Sequence, residues 1–112
     1  VIMCIAETTT RAAINFAKTS ASNGAHGFML LPPMRYASDD QETLTYLHKV
    51  ADATDLPIML YNNPVAYKTL ITIDMFKDLA RNPKFEAVKE STGDIRYMCL
   101  PNWCKILSWQ KP

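Results

Sequence analysis

Four short apolar runs open near residues 1, 27, 57 and 85, roughly 26 to 30 residues apart, and each of the first three leads into a stretch with helical spacing. That step is the length of one strand–helix unit. Its tandem repetition predicts an α/β fold with a parallel sheet. The first run, Val-Ile-Met-Cys-Ile-Ala at residues 1–6, is continuously apolar, the pattern of a strand buried on both faces. Thr8 to Thr10 can cap a helix from Arg11 with Ala13, Ile14, Ala17 and Ala21 inward, and Asn23-Gly24 stops it.

The second unit is a buried strand, Gly27-Phe28-Met29-Leu30-Leu31, closed by Pro32-Pro33. A capping box of Ser38 with Gln41 then opens a helix whose stripe is Leu44, Leu47, Val50 and Ala51. The third strand is Pro57-Ile58-Met59-Leu60-Tyr61, stopped by Asn62-Asn63-Pro64. Its helix is capped by Thr72, carries Ile73, Phe76, Leu79 and Ala80 inward, and ends at Asn82-Pro83. A fourth strand runs from Phe85 to Lys89. Such an array fits half of an eight-stranded barrel or a small doubly wound sheet, and periodicity alone does not choose between them. After Asp94 the regularity fails. Ile95 to Leu100 begins like a helix that Pro101 interrupts, Trp103 to Ser108 reads as a short strand, and residues 95–112 form a divergent tail to the 1–94 array.

Bulk properties narrow the function classes. The chain has 112 residues, 48% of them hydrophobic and 21% charged, and a formal net charge of +1, so nothing electrostatic favours nucleic acid or anionic lipid. No apolar run approaches the ~20 residues of a membrane span. Cys4, Cys99 and Cys104 are odd in number and form no C-x-x-C pair, which suggests neither a disulfide framework nor a zinc site and points to a reducing, cytoplasmic setting. The three glycines, Gly24, Gly27 and Gly93, make no phosphate loop.

In a parallel βα sheet, functional groups sit at the C-terminal strand ends. Four segments qualify: Glu7 to Thr9, Pro32 to Tyr36, Tyr61 to Pro64, and Lys89 to Gly93. Strand alternation puts Lys89 on the face of Ala87 and Phe85, and Tyr61 on the face of Met59, so both project into one interior if that face is a barrel lumen. Desolvation there would favour the neutral amine, the form that attacks a carbonyl to make a Schiff base. Tyr61 could then shuttle protons, and Ser91 or Thr92 could bind a carboxylate. The plainer alternatives are a snorkelling surface lysine and a half-buried aromatic with a satisfied hydroxyl. His26 and His48 read as turn and helix-surface residues, and Cys4 as a buried small hydrophobe.

Three stretches, "GFMLLPP" at Gly27 to Pro33, "DLPIMLYNNP" at Asp55 to Pro64 and "VKESTGD" at Val88 to Asp94, resemble the dihydrodipicolinate synthase / N-acetylneuraminate lyase family of class I aldolases, which are eightfold βα barrels. The 28-residue step from Tyr61 to Lys89 is similar to the family's separation between its proton-relay tyrosine and its Schiff-base lysine. The resemblance covers about residues 1–94 and implies a fragment, about half, of a TIM (β/α)8 barrel, corresponding to strands three to six. It implies a lyase that acts on pyruvate or a related 2-oxo acid through Lys89 and Tyr61, with no metal or organic cofactor. It also implies homo-oligomers in the full-length family.

Some positions depart from the family pattern. Ala66 stands where synthases of the dicarboxylate usually carry an arginine, so "YNNPVAY" is more similar to relatives that handle hydroxyproline-derived pyrrolines or sugar-acid 2-oxo acids. Met34 and Arg35 occupy the places of an aromatic that reaches a neighbouring subunit, with Tyr36 one step out of register, and Thr8 to Thr10 are not the family's carboxylate-binding threonine pair. The expected function is aldol cleavage or condensation of a 2-oxo acid. One alternative is a Schiff-base deaminase or dehydratase of a hydroxypyrroline carboxylate, and another is a non-catalytic half-barrel with two open edges.

Overall fold

In the computed structural model, residues 1–33, 39–91, 94, 96 and 105–108 are described. The expectations for Met34, Arg35, Tyr36, Ser38, Thr92, Gly93, the helical start after Asp94 apart from Arg96, and the rest of the tail lie outside them. The order is β1 (Ile2–Ile5), α1 (Thr10–Ser22), β2 (Gly27–Leu30), α2 (Asp40–Asp52), β3 (Ile58–Asn62), α3 (Pro64–Tyr67), α4 (Ile73–Leu79), β4 (Phe85–Glu90) and β5 (Lys105–Ser108). All strands are parallel and lie in sequence order, β1-β2-β3-β4-β5. The tandem βα array is therefore present, and the strand read in the tail adds to it as the fifth strand, beside β4.

The helix ends follow their capping chemistry. Thr9 accepts from the Ala12 amide at α1, and Thr72 accepts from Met75 at α4. At α2 the cap is Asp39, whose carboxylate accepts from Glu42 at 2.7 Å, and not the expected Ser38. A charged oxygen at a helix N-terminus also gains from the macrodipole. Helix α1 stops at Asn23, and Gly24 follows with φ +94, a conformation only glycine adopts freely. In α1 the buried residue of the last turn is Ser20, whereas Ala21 is exposed. Seven residues bring Ser20 back to within about 20° of Ala13 around the helix axis, while Ala21 lies about 80° away.

The core lies between the helices and one face of the sheet. Ile5, Phe28, Leu30, Ile58, Leu60 and Val88 from the strands pack with Ala13 and Ala17 of α1, Leu47 and Val50 of α2, and Phe76 and Leu79 of α4. Each such large apolar side chain contributes about 1.5–3 kcal/mol by leaving water. The expectation that the first strand is buried on both faces is corrected. Ile2 is 64% exposed and Cys4 is exposed as well, because among the described residues no layer covers the second face of the sheet. On that face Met29, Met59 and Ala87 are half-buried and stand in register with Cys4.

A second correction concerns Phe85. The register shifts between Ile58 and Met59, so that Phe85 pairs with Ile58 while Ala87 pairs with Met59. Glu86 is the extra residue, the two-against-one count of a bulge, and it turns Phe85 to the helix side, where its ring meets His48. Phe85 therefore does not share a face with Lys89. Among the described residues no helix is long and apolar enough to cross a membrane.

Candidate active site at the strand ends

Tyr61 ends the open-face row of β3, and Lys89 is its register partner on β4. Alternation from Met59 and Ala87 directs both side chains away from the helices. The Lys89 Nζ lies 4.5 Å from the centroid of the Tyr61 ring. An ammonium over an aromatic face is held by the ring quadrupole, worth about 0.5–2 kcal/mol. Both residues are half-buried.

Two further aromatic and thiol groups belong to this cluster. Tyr67, on the single turn of α3, meets the Tyr61 ring edge-on at 5.7 Å and 75°. Burial pushes the Tyr67 phenol up, and Tyr61 and Cys4 add to the rise because further negative charge beside them is unfavourable. Cys4 was expected to be a buried hydrophobe. It instead stands exposed on the open face, where partial loss of hydration raises its thiol and the nearby Lys89 charge offsets part of that rise.

Asn63 joins these elements. Its Nδ2 donates to the Tyr61 hydroxyl at 3.1 Å, while its Oδ1 accepts from the Ala66 amide at 3.3 Å and caps α3. Pro64 at the first helical position and a preceding asparagine are a sequence signature of a helix start, and that signature marks α3. Lys68 ends the turn with φ 58.

Behind the site, on the helix side, Asn62 and Glu90 are opposite each other in register and deeply buried, at 0% and 2% exposed. Asn62 Nδ2 donates to Glu90 Oε2 at 3.2 Å and to the Ile71 carbonyl at 3.0 Å, and its Oδ1 accepts from the Ile71 amide at 3.0 Å. This pair ties the ends of β3 and β4 to the residue before the Thr72 cap. Ser91 continues the tie, donating its amide to the Asn62 carbonyl at 3.0 Å. The Ser91 hydroxyl is buried and has no hydrogen-bond partner among the described residues. Thr92, the other expected carboxylate binder, lies outside them.

Sequence reasoning named Tyr61, Lys89 and Ser91, and missed Asn62, Asn63, Tyr67 and the burial of Glu90. Period-two alternation carried one residue further would have found the Asn62 and Glu90 pair, since it puts both on the covered face. His48 sits between α2 and α4, where it meets Asp78 at 3.3 Å, away from this cluster. A surface groove lined by Lys18, Ser22, Asp52, Thr54 and Asp55 lies where α1 and α2 end and shares no residue with the site.

Comparison with known proteins gives the chain a family and a fold. The profile described as the dihydrodipicolinate synthetase family matches residues 1–102. Over 89 residues the chain is 36% identical to a 4-hydroxy-tetrahydrodipicolinate synthase of Exiguobacterium sibiricum, a match covering 80% of this chain and 30% of that protein. A synthase of the same name from Mycolicibacterium gilvum is 35% identical over 86 residues, 77% of this chain and 28% of the relative. The chain thus spans about a third of the length of the curated relatives it matches. Among solved structures, the 4-hydroxy-tetrahydrodipicolinate synthase from Methylacidiphilum fumariolicum SolV superposes with a TM-score of 0.85 at 27% identity, over 94% of this chain and 37% of that one. A dihydrodipicolinate synthase from Acinetobacter baumannii in complex with pyruvate does so with a TM-score of 0.86 at 25% identity, over 96% and 38%. This α/β array, with its parallel strands and its Tyr61–Lys89 register pair, is a partial TIM barrel, and the chain belongs to the dihydrodipicolinate synthetase family.

Proposed function

We propose that the chain carries the Schiff-base half of a lyase acting on pyruvate-type 2-oxo acids. The single observation that carries this reading is the placement of the Lys89 amine 4.5 Å over the ring of Tyr61 on the uncovered face of the sheet. The unprotonated amine attacks the carbonyl carbon of the 2-oxo acid, and the carbonyl oxygen takes a proton to give a carbinolamine. Loss of that oxygen as water leaves an iminium, which draws electrons from the neighbouring carbon for aldol cleavage or condensation. Tyr61 is the group within reach to hand a proton to the departing oxygen and to take one back, a role typically worth ~10²–10⁴-fold. The Ser91 hydroxyl, buried and without a partner among the described residues, supplies a donor for the substrate carboxylate. Thr92 is the second candidate for that task.

This mechanism asks for no metal or organic cofactor, and it belongs to a protein of the cytoplasm that assembles as a homo-oligomer in its full-length form. Relatives that match this chain are named 4-hydroxy-tetrahydrodipicolinate synthase, and structural neighbours include two solved with pyruvate. Ala66 supports a second reading. It is exposed and offers no cation for a second carboxylate, which favours an electrophile with a single carboxylate or a Schiff-base deaminase or dehydratase of a hydroxypyrroline carboxylate. Incubation with candidate substrates separates these readings. Aldehyde and pyruvate release marks a lyase, ammonia release marks the deaminase, and the Lys89→Ala chain should release neither. Equal release by the Lys89→Ala chain would overturn both.

A further inference from the structure

We propose that Asn63 is the positioning residue for Tyr61, fixing the direction in which the phenol delivers its proton. The inference rests on the assignment of Tyr61 as proton shuttle and adds a residue to it. Asparagine amides are ordinarily ambiguous between oxygen and nitrogen. Here the ambiguity is removed, because the Ala66 amide must meet an acceptor and therefore meets Oδ1. The atom facing the Tyr61 hydroxyl is then the Nδ2 donor, at 3.1 Å.

A phenol has one proton and two acceptor sites on its oxygen. With one site filled by Asn63, the phenolic O–H must point to the other side. Among the described residues no acceptor takes that proton, and a ligand oxygen on that side would receive it. The same asparagine caps α3, and its carbonyl accepts the Tyr67 amide at 3.0 Å. Tyr67 in turn stands edge-on against the Tyr61 ring at 5.7 Å. Asn63 thus holds the Tyr61 oxygen directly and the Tyr61 ring through Tyr67.

The cap and the donation separate cleanly by substitution. Asn63→Asp keeps an oxygen able to cap α3 but has no N–H to give Tyr61; Asn63→Ala loses both. In the full chain, borohydride reduction with pyruvate followed by mass spectrometry measures the rate of Schiff-base capture at Lys89. The expected result is a fall of about 10–100-fold for Asn63→Asp with an unchanged unfolding midpoint, a fall of the same size for Asn63→Ala with a lowered midpoint, and no further loss when either is combined with Tyr61→Phe. An Asn63→Asp chain that captures pyruvate at the unaltered rate overturns the proposal. If the unaltered chain captures no pyruvate, the amine's assignment falls. The hold of Asn63 on the phenol is then decided by the Tyr61 ring ¹³Cζ resonance, assigned by its loss in Tyr61→Phe. Displacement of that resonance in Asn63→Asp supports the contact, and an unmoved resonance overturns it.

Discussion

Replacing Asn62 by leucine tests how the strand ends beneath the site are held. The substitution keeps the number and branching of side-chain heavy atoms, so it removes polar contacts without opening a large cavity. Three hydrogen bonds are lost, two to the backbone of Ile71 and one to the Glu90 carboxylate. A neutral buried bond contributes about 0.5–1.5 kcal/mol and one to a charged group about 1.5–3 kcal/mol. The Glu90 side chain, 2% exposed, also loses a donor in a place water does not readily reach. Together these predict a loss of about 3–5 kcal/mol, a large share of the ~5–15 kcal/mol that holds an ordinary domain together. Urea unfolding followed by far-ultraviolet circular dichroism measures it, with the midpoint falling and the slope nearly unchanged. A double-mutant cycle with Glu90→Leu should return a coupling of about 0.5–3 kcal/mol between the two positions. A loss below about 1 kcal/mol for Asn62→Leu, or no coupling to position 90, would refute the claim that this pair fixes the ends of β3 and β4.

Tyr46 predicts a dependence on alkaline pH. Burial, with Glu7 nearby, pushes its phenol up from 10.0 to about 12. The folded chain therefore keeps its proton where the unfolded chain has lost it, and this contribution is complete below pH 10 and disappears as pH rises toward about 12. In the Tyr46→Phe chain the fall in stability over that window should shrink by up to about 2–3 kcal/mol, as read from unfolding midpoints at a series of pH values. At pH 7 the same substitution removes a buried hydroxyl that has no partner among the described residues, so stability should hold or rise by about 1 kcal/mol. Gly24→Ala places a Cβ at φ +94 and should cost about 1 kcal/mol in urea unfolding, although no atom lies within 4 Å of the added methyl. Thr72→Ala removes the cap that accepts from Met75 and should cost about 1 kcal/mol; an unchanged midpoint would contradict the cap's role.

The units of the fold were legible because strand and helix periods differ and because turn chemistry is local. The Thr9 and Thr72 caps, the Asn23-Gly24 stop and the apolar strands followed from such rules. Features that depend on pairing between strands did not. The bulge at Glu86, which turns Phe85 toward His48, arises from how β4 meets β3 and leaves no period of its own. The exposure of Ile2 and Cys4 likewise depends on what covers the second sheet face, which a single strand does not encode.

The site was legible to the same extent. Strand-end logic found Tyr61 and Lys89 together, since both are the last open-face residues of neighbouring strands. It stopped short of the next residue on each strand, so the Asn62 and Glu90 pair went unread. Asn63 was taken only as a strand stop. That one of its atoms caps α3 while another holds the Tyr61 hydroxyl is a fact of three dimensions.

The central claim is that the Lys89 nitrogen is the atom that bonds to substrate. Peptide mapping after cyanoborohydride reduction in the presence of isotopically labelled pyruvate tests it most directly, because seven other lysines among residues 1–111 offer internal controls. The account predicts one labelled group, on the peptide containing Lys89. Label spread evenly over the lysines, or concentrated on any other, would contradict it.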